Sequence, residues 1–315
     1  MLNGILNIYK EKGFTSHDVV AKLRGITKQK KIGHTGTLDP DAEGVLPVCL
    51  GRATKVCALL TEKDKIYETT LLLGKTTDTQ DISGTVLKES DTADVTEQKV
   101  RECIESYVGT YDQLPPMYSA LKVNGKKLYE LAREGIEVER KRRRVTIYEI
   151  EVTEVRLPRV RMRVHCSKGT YIRTLCHDIG ESLGCGGCME TLLRTKVSCF
   201  SLQDSLRLSE IERLSGEGKL EEVLLPVDAL FSEYAKLILQ KGKEAKAYNG
   251  NPFGAEVLEE DCSSLQDGEL VRVYDARGQF VGIFRCRTKG QKNGMDAGQK
   301  QHMEFRVEKM FLTQE

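Results

Sequence analysis

Tryptophan is absent from this 315-residue chain, so any aromatic stacking falls to tyrosine, phenylalanine and histidine. A long apolar run is absent too. None approaches the ~18 residues that cross a bilayer, so no helical membrane span and no membrane partner are expected. Met1 to Lys10 lacks an apolar h-region and a cleavage signal, which predicts a cytoplasmic protein rather than a secreted one. Nor is there an excess of charge of either sign. Lys and Arg number 48 against 47 Asp and Glu, for a net charge of +1. The chain is no polycation, and any nucleic-acid binding must come from a local basic surface. No internal repeat and no long low-complexity segment occurs, which argues against a solenoid.

Cysteine is plentiful, at ten residues. Most sit inside apolar patterns such as Val48-Cys49-Leu50, which reads as reduced, buried thiols. Cys185-Gly186-Gly187-Cys188 is the exception, because C-x-x-C also suits zinc or redox chemistry. A structural zinc site usually needs four ligands. No second pair stands at suitable spacing, and Cys199 or His177 completes a site only by folding. No metal is expected.

The length suits two domains. Gly4 to Tyr9 reads as a strand, and Ser16 as the cap of a helix with Val19, Val20 and Leu23 on one side. Ala53 to Leu60 and Lys127 to Arg133 read as short helices. Thr96 to Val108 reads as an amphipathic helix with Val100, Cys103, Ile104, Tyr107 and Val108 in one stripe. Ile66 to Leu73, Val145 to Val155 and Val160 to Cys166 alternate like strands. A helix capped near Thr170 follows, burying Ile172, Leu175, Cys176, Ile179 and Leu183. Arg173 lies near its N-terminus, where a lone cation opposes the helix dipole and calls for a carboxylate partner. This mixture predicts an α+β domain over residues 1–232. Residues 233–315 read as a small β-rich domain with strands at Leu270 to Tyr274, Gln279 to Arg285 and Phe305 to Phe311. Asp275 to Gly278 is a turn between the first two. Thr288 to Gln301 is polar and glycine-containing, a mobile loop.

The most informative stretch is Gly33-His34-Thr35-Gly36-Thr37-Leu38-Asp39-Pro40-Asp41-Ala42-Glu43-Gly44. Pro40 pushes Asp39 into an extended backbone. Gly33, Gly36 and Gly44 permit sharp turns and close approach of a partner. Asp39 is thus a rigidly presented carboxylate, although an Asp-Pro near glycine is also the composition of an ordinary turn.

This stretch resembles motif I of the pseudouridine synthases, most closely the TruB family, the bacterial tRNA pseudouridine-55 synthases. Three further blocks resemble that family in the same order. They are Lys65-Ile66-Tyr67 running to Leu73 through Gly84, Pro115 to Lys122 with Gly125-Lys126, and Ser167-Lys168-Gly169-Thr170-Tyr171-Ile172-Arg173. The resemblance implies a mixed, largely antiparallel pseudouridine synthase catalytic domain and a PUA-like C-terminal domain. The implied reaction breaks the uridine N1–C1′ bond, rotates the uracil and joins C5 to C1′. It exchanges no electrons and no group with a donor, so no cofactor is expected.

The resemblance also assigns roles. Asp39 acts on the sugar, either as a nucleophile or as a base that removes the 2′ proton to give a glycal. Arg173 keeps it ionised in a pocket that expels water. Tyr67 stacks on the flipped uracil, Tyr171 walls the pocket and His34 fills the gap left in the RNA stack. Lys10 matches a lysine near the active site, although Glu11 follows where the family often has proline. Leu193 stands where the family often has a second arginine beside Arg194. Lys31 and Lys122 head the candidate phosphate contacts, with Lys28, Lys30, Lys126, Lys127, Arg133 and the run Arg140 to Arg144. A solvated charged face is the everyday alternative for such runs. The expected partner is the T-arm stem-loop of tRNA. The chain lacks long basic tails of the kind expected for the guide-RNA relatives, which predicts a monomer that needs no protein partner. The rival readings are a non-catalytic tRNA-binding or RNA-folding protein using the same surface, and a zinc or redox protein built on Cys185 and Cys188.

Overall fold

The structure, a computed structural model, describes residues 1–288 and 303–312. The polar stretch 288–301 therefore lies, apart from Thr288, outside the described residues. The elements run β1 (Gly4–Lys10), α1 (Ser16–Thr27), β2 (Ile32–His34), β3 (Glu43–Leu50), α2 (Cys57–Thr61) and β4 (Lys65–Leu73). A 3-10 turn covers Gly51–Val56 before α2. Next come β5 (Lys75–Thr77), β6 (Val86–Glu89), α3 (Glu97–Glu105), β7 (Gly109–Gln113), β8 (Lys122–Val123), β9 (Lys126–Lys127) and α4 (Leu128–Arg133). The long strands β10 (Arg143–Arg156) and β11 (Arg159–Cys166) lead to α5 (Ile172–Ser182), β12 (Gly187–Val197), β13 (Phe200–Ser201) and α6 (Leu208–Gly216). The C-terminal elements are β14 (Ala235–Ile238), α7 (Ala245–Tyr248), β15 (Phe253–Gly254), β16 (Leu270–Tyr274), β17 (Phe280–Thr288) and β18 (Met303–Met310).

The chain packs as two compact units. One comprises Leu6–Val48 and Cys57–Leu220, the other Met1–Ile5, Cys49–Val56 and Glu221–Glu315. The larger is organised by a sheet ordered β1-β3-β12-β4-β11-β10-β7. β12 runs parallel to β3 and antiparallel to β4, so the sheet is mixed as expected. On β11, Val160, Met162, Val164 and Cys166 are buried. The opposite face carries Arg159, Arg161 and Arg163, ion-paired to Glu190, Glu154, Glu149 and Glu151. α5 lays Leu175, Cys176 and Ile179 into the same core. The smaller unit holds a five-stranded sheet ordered β14-β16-β17-β18-β15, with Phe253, Phe284 and Phe305 buried in it. Residues 275–278 form the expected turn, closed by the Gly278 amide on the Asp275 carbonyl at 2.9 Å.

Two local expectations need correction. The cap of α1 is Thr15, whose hydroxyl accepts the Asp18 amide while the Asp18 carboxylate accepts the Thr15 amide. Such a reciprocal cap contributes about 1 kcal/mol. Ser16 is instead the first helical residue, buried, and accepts the Leu38 amide at 3.0 Å. α3 stops at Glu105, which leaves Val108 outside the stripe and 38% exposed. α5 is capped at Tyr171, beside Thr170 as expected. The Tyr171 amide donates to Gln113 Oε1 at 2.8 Å, and Gln113 Nε2 donates back to the Tyr171 carbonyl at 3.0 Å.

Two strands central to the sheet, β3 and β12, have no clear signature in the sequence. β3 is buried on both faces and carries Pro47, so neither alternation nor propensity marks it. β12 breaks its period with register shifts at Met189/Thr191 and Arg194/Lys196.

Candidate active site

The segment between β2 and β3 carries Asp39, and several groups fix its backbone. Leu38 and Ala42 anchor it in the core on either side of Asp39. The Thr35 amide donates to the Pro47 carbonyl at 3.2 Å. The Pro40 carbonyl accepts from the Gly13 amide at 2.9 Å and from Lys10 Nζ at 3.1 Å. Gly36 and Gly44 adopt φ of +133° and +105°, while Gly33 needs no left-handed backbone. At Gly44 a Cβ would stand 2.2 Å from the Arg194 carbonyl oxygen, so β3 reaches β12 only because that position lacks a side chain.

Arg173 supplies the partner its position called for. Its Nε lies 2.9 Å from Asp39 Oδ2, and its Nη2 donates to Oδ1 at 3.2 Å, a two-pronged pair. The remaining donors are committed as well, Nη1 to the Thr79 carbonyl at 3.0 Å and Nη2 to the Tyr118 carbonyl at 2.8 Å. Asp81 Oδ2 stands 3.7 Å from Nη1, which makes one cation shared by two carboxylates. Arg173 is buried, whereas the Asp39 side chain keeps 36% of its surface open to solvent. Crowding by the protein raises the Asp39 pKa above the ordinary aspartate value, the Arg173 charge pulls it down and Asp81 pushes it up again.

Tyr67, on β4, lies in the same core cluster as Leu38, and its phenol feels both Arg194 and Asp39. Burial raises its pKa, so it stays a neutral aromatic face. Tyr171 stands two residues before Arg173, and burial raises the pKa of its phenol. Lys10 is fully buried, and its ammonium donates to the carbonyls of Glu11, Phe14 and Pro40. It therefore braces the Asp39 loop from behind, with its pKa lowered by burial to about 8. His34 packs edge-on against His17 at 5.4 Å and accepts the Gly36 amide on Nδ1. Burial first, and His17 second, lower its pKa, which favours a neutral ring.

The basic candidates divide. Lys31 and Lys122 are exposed and do not join the Asp39 cluster. Lys126 pairs with Glu134, Arg140 with Glu137 and Arg144 with Asp112, which removes much of the density those runs suggested.

Three residues of the site had no role assigned from sequence: Asp81, Gln113 and Arg194. Asp81 lies within a recognised block and is marked only by its Thr and Ser neighbours. Cys185 and Cys188 are both buried, and burial pushes the Cys188 thiol up to about 11. Among the described residues no three His, Cys, Asp or Glu side chains gather into a metal-binding group, so the zinc alternative has no site there.

The braced lysine yields a pH prediction. Above about pH 8 the Lys10 amine has lost a proton and can make only two of its three donations, loosening the Pro40 carbonyl. Turnover is expected to decline on that alkaline side in the native protein. In Lys10→Met it should be lower and flat through the same range, as single-turnover rates between pH 7 and 9.5 would reveal.

The sequence matches the profile of the TruB family pseudouridylate synthase N-terminal domain over residues 24–172. It matches that of the tRNA pseudouridylate synthase B C-terminal domain over residues 173–232. The tRNA pseudouridine synthase B of Lachnoclostridium phytofermentans is 56% identical over 297 residues, covering 91% of this chain and 96% of that protein. That of Alkaliphilus oremlandii is 50% identical, covering 92% and 96%. Among solved structures, a chain of a Cbf5-Nop10-Gar1 complex aligns with a TM-score of 0.70 at 27% identity, over 98% of this chain and 85% of that one. A chain of an H/ACA RNP bound to a substrate RNA containing 2′-deoxyuridine shares the fold, with a TM-score of 0.69 at 24% identity and the same coverage. The mixed-sheet pseudouridine synthase fold is thus present, and the small C-terminal β-sheet is consistent with a PUA-like domain. The chain belongs to the TruB family of pseudouridylate synthases.

Proposed function

We propose that this protein isomerises uridine to pseudouridine in tRNA, at position 55 of the T loop. The observation that carries the reading is the Asp39 carboxylate, partly open to solvent and gripped on both oxygens by Arg173. The names of its relatives, tRNA pseudouridine synthase B, support it. So does the intact pair itself, which a non-catalytic RNA-binding protein would not need.

In this reading the T-arm nucleotide leaves its stack and its uracil lies on Tyr67, with Tyr171 as a wall. Flipping costs roughly a few kcal/mol, and His34 offsets part of that by occupying the vacated space. Asp39 is ionised and faces the ribose. It attacks C1′, or it takes the 2′ proton, and the N1–C1′ bond breaks with its electrons going to the uracil. The uracil turns and C5 joins C1′ as the Asp39–C1′ bond breaks or, on the glycal route, as the 2′ proton returns. C5 then loses its proton to water and N1 takes one up, so the product is an isomer of the substrate and Asp39 is regenerated. Lys31 and Lys122 contact backbone phosphates, and residues 233–315 act as a PUA-like RNA-binding domain. Among the described residues no helix is long and apolar enough to cross a membrane. A cytoplasmic monomer acting without a protein partner completes the reading.

Tritium at C5 of uridine tests it, because C5 must lose its hydrogen. Release of tritium from T-loop uridine is expected; bound tRNA with no release would overturn the activity. Lys31→Ala should weaken tRNA binding and reduce the slope of log affinity against log salt by about 1. Unchanged affinity at several salt concentrations would remove Lys31 from the interface.

A further inference from the structure

Among the described residues Arg194 is the largest fully buried side chain, at 1% exposure. Guanidinium groups taken out of water are usually matched by a carboxylate, since each buried ion otherwise costs several kcal/mol. Among the described residues Arg194 has no ion pair. It is satisfied by uncharged oxygens. Its Nε donates to the Val45 carbonyl at 2.7 Å and its Nη2 lies 3.4 Å from the Gly36 carbonyl. It also approaches the Tyr67 hydroxyl.

The placement is specific. Gly36 and Val45 bracket the segment that presents Asp39. Arg194 pairs with Gly44 in the parallel register of β3 and β12, and with Tyr67 in the antiparallel register of β12 and β4. One side chain therefore touches both structures that must hold a nucleotide between them, the carboxylate loop and the aromatic strand. Asp39, Arg173 and Asp81 complete their own contacts without it.

We propose that Arg194 is a positioning residue for the isomerisation, tying the Asp39 loop to the Tyr67 strand so that carboxylate and ring keep a fixed spacing around the nucleotide. The inference rests on the uridine-isomerase reading. Lysine can replace the charge but not the planar fork, so its single nitrogen cannot meet the Val45 and Gly36 carbonyls from the separate positions that Nε and Nη2 occupy. Methionine can fill much of the volume and hold none.

The full-length chain with Arg194→Lys and Arg194→Met, assayed on C5-tritiated tRNA, tests this through three readouts: melting, tRNA affinity and single-turnover rate. Folded Arg194→Lys should bind tRNA as the native protein does and turn over about 100-fold more slowly, the scale set by a misplacement of about 1 Å. Arg194→Met should be slower still, with affinity again kept. A folded Arg194→Met that turns over at the native rate overturns this inference alone. Losses of rate, affinity and folded protein in parallel, in both variants, also overturn it by making Arg194 purely structural. A native protein that binds tRNA and releases no tritium overturns the isomerase reading, and this inference with it.

Discussion

Asp39→Asn should abolish pseudouridine formation while tRNA still binds. Asparagine keeps the shape and fills the same space beside Arg173, but it can neither attack C1′ nor accept a proton. Removing a group of this kind costs at least about 10⁴-fold in turnover. Binding should survive because the loop is held by its backbone, through the Thr35 amide, the Pro40 carbonyl and the buried flanks Leu38 and Ala42. The check is tritium release beside a filter-binding titration. Residual turnover within tenfold of native would remove Asp39 from the chemistry, and lost binding would make it structural.

Arg173→Lys should lower turnover by about 10²- to 10³-fold, the range for losing one preorganised electrostatic contact. A lysine cannot grip both Asp39 oxygens and also reach the carbonyls of Thr79 and Tyr118, as the guanidinium does. The pH dependence gives a sharper test. Asp39 must be ionised, so the rate falls as pH drops through its pKa. Arg173 lowers that pKa and Asp81 raises it. Arg173→Met should therefore move the acid limb of the pH–rate profile to higher pH, and Asp81→Asn should move it to lower pH. Limbs that stay fixed in both variants would mean the profile reports another group.

The chemistry was more legible in the sequence than the frame that holds it. Asp39, Arg173 and Tyr67 stood out because their blocks have fixed spacing, and Arg173 announced a missing partner by sitting at the wrong end of a helix for a cation. The supports were less visible because each acts at long range. Gln113 clamps Tyr171 from 58 residues away, and nothing local distinguishes it from an ordinary strand glutamine. Arg194 lies in a strand whose alternation two bulges erase. Ser16 looks like a cap, and only the fold brings Leu38 to its hydroxyl. The basic run was only half legible: Glu137 stands three residues before Arg140 in the sequence, whereas Asp112 reaches Arg144 only through the pairing of β7 with β10.

The pair at the heart of the site joins residues 134 positions apart, and the Arg194 contact to Gly36 spans 158. On a ribosome adding about 5–20 residues per second, Asp39 exists for roughly 7 to 27 seconds before Arg173 has been made. Through that interval it is an unpaired carboxylate on an unfinished sheet, and the β12 strand that fixes its loop comes later still. The Asp39–Arg173 pair can therefore form only after Arg173 has been made, and the Arg194 tie to Gly36 only once about three-fifths of the chain has been built.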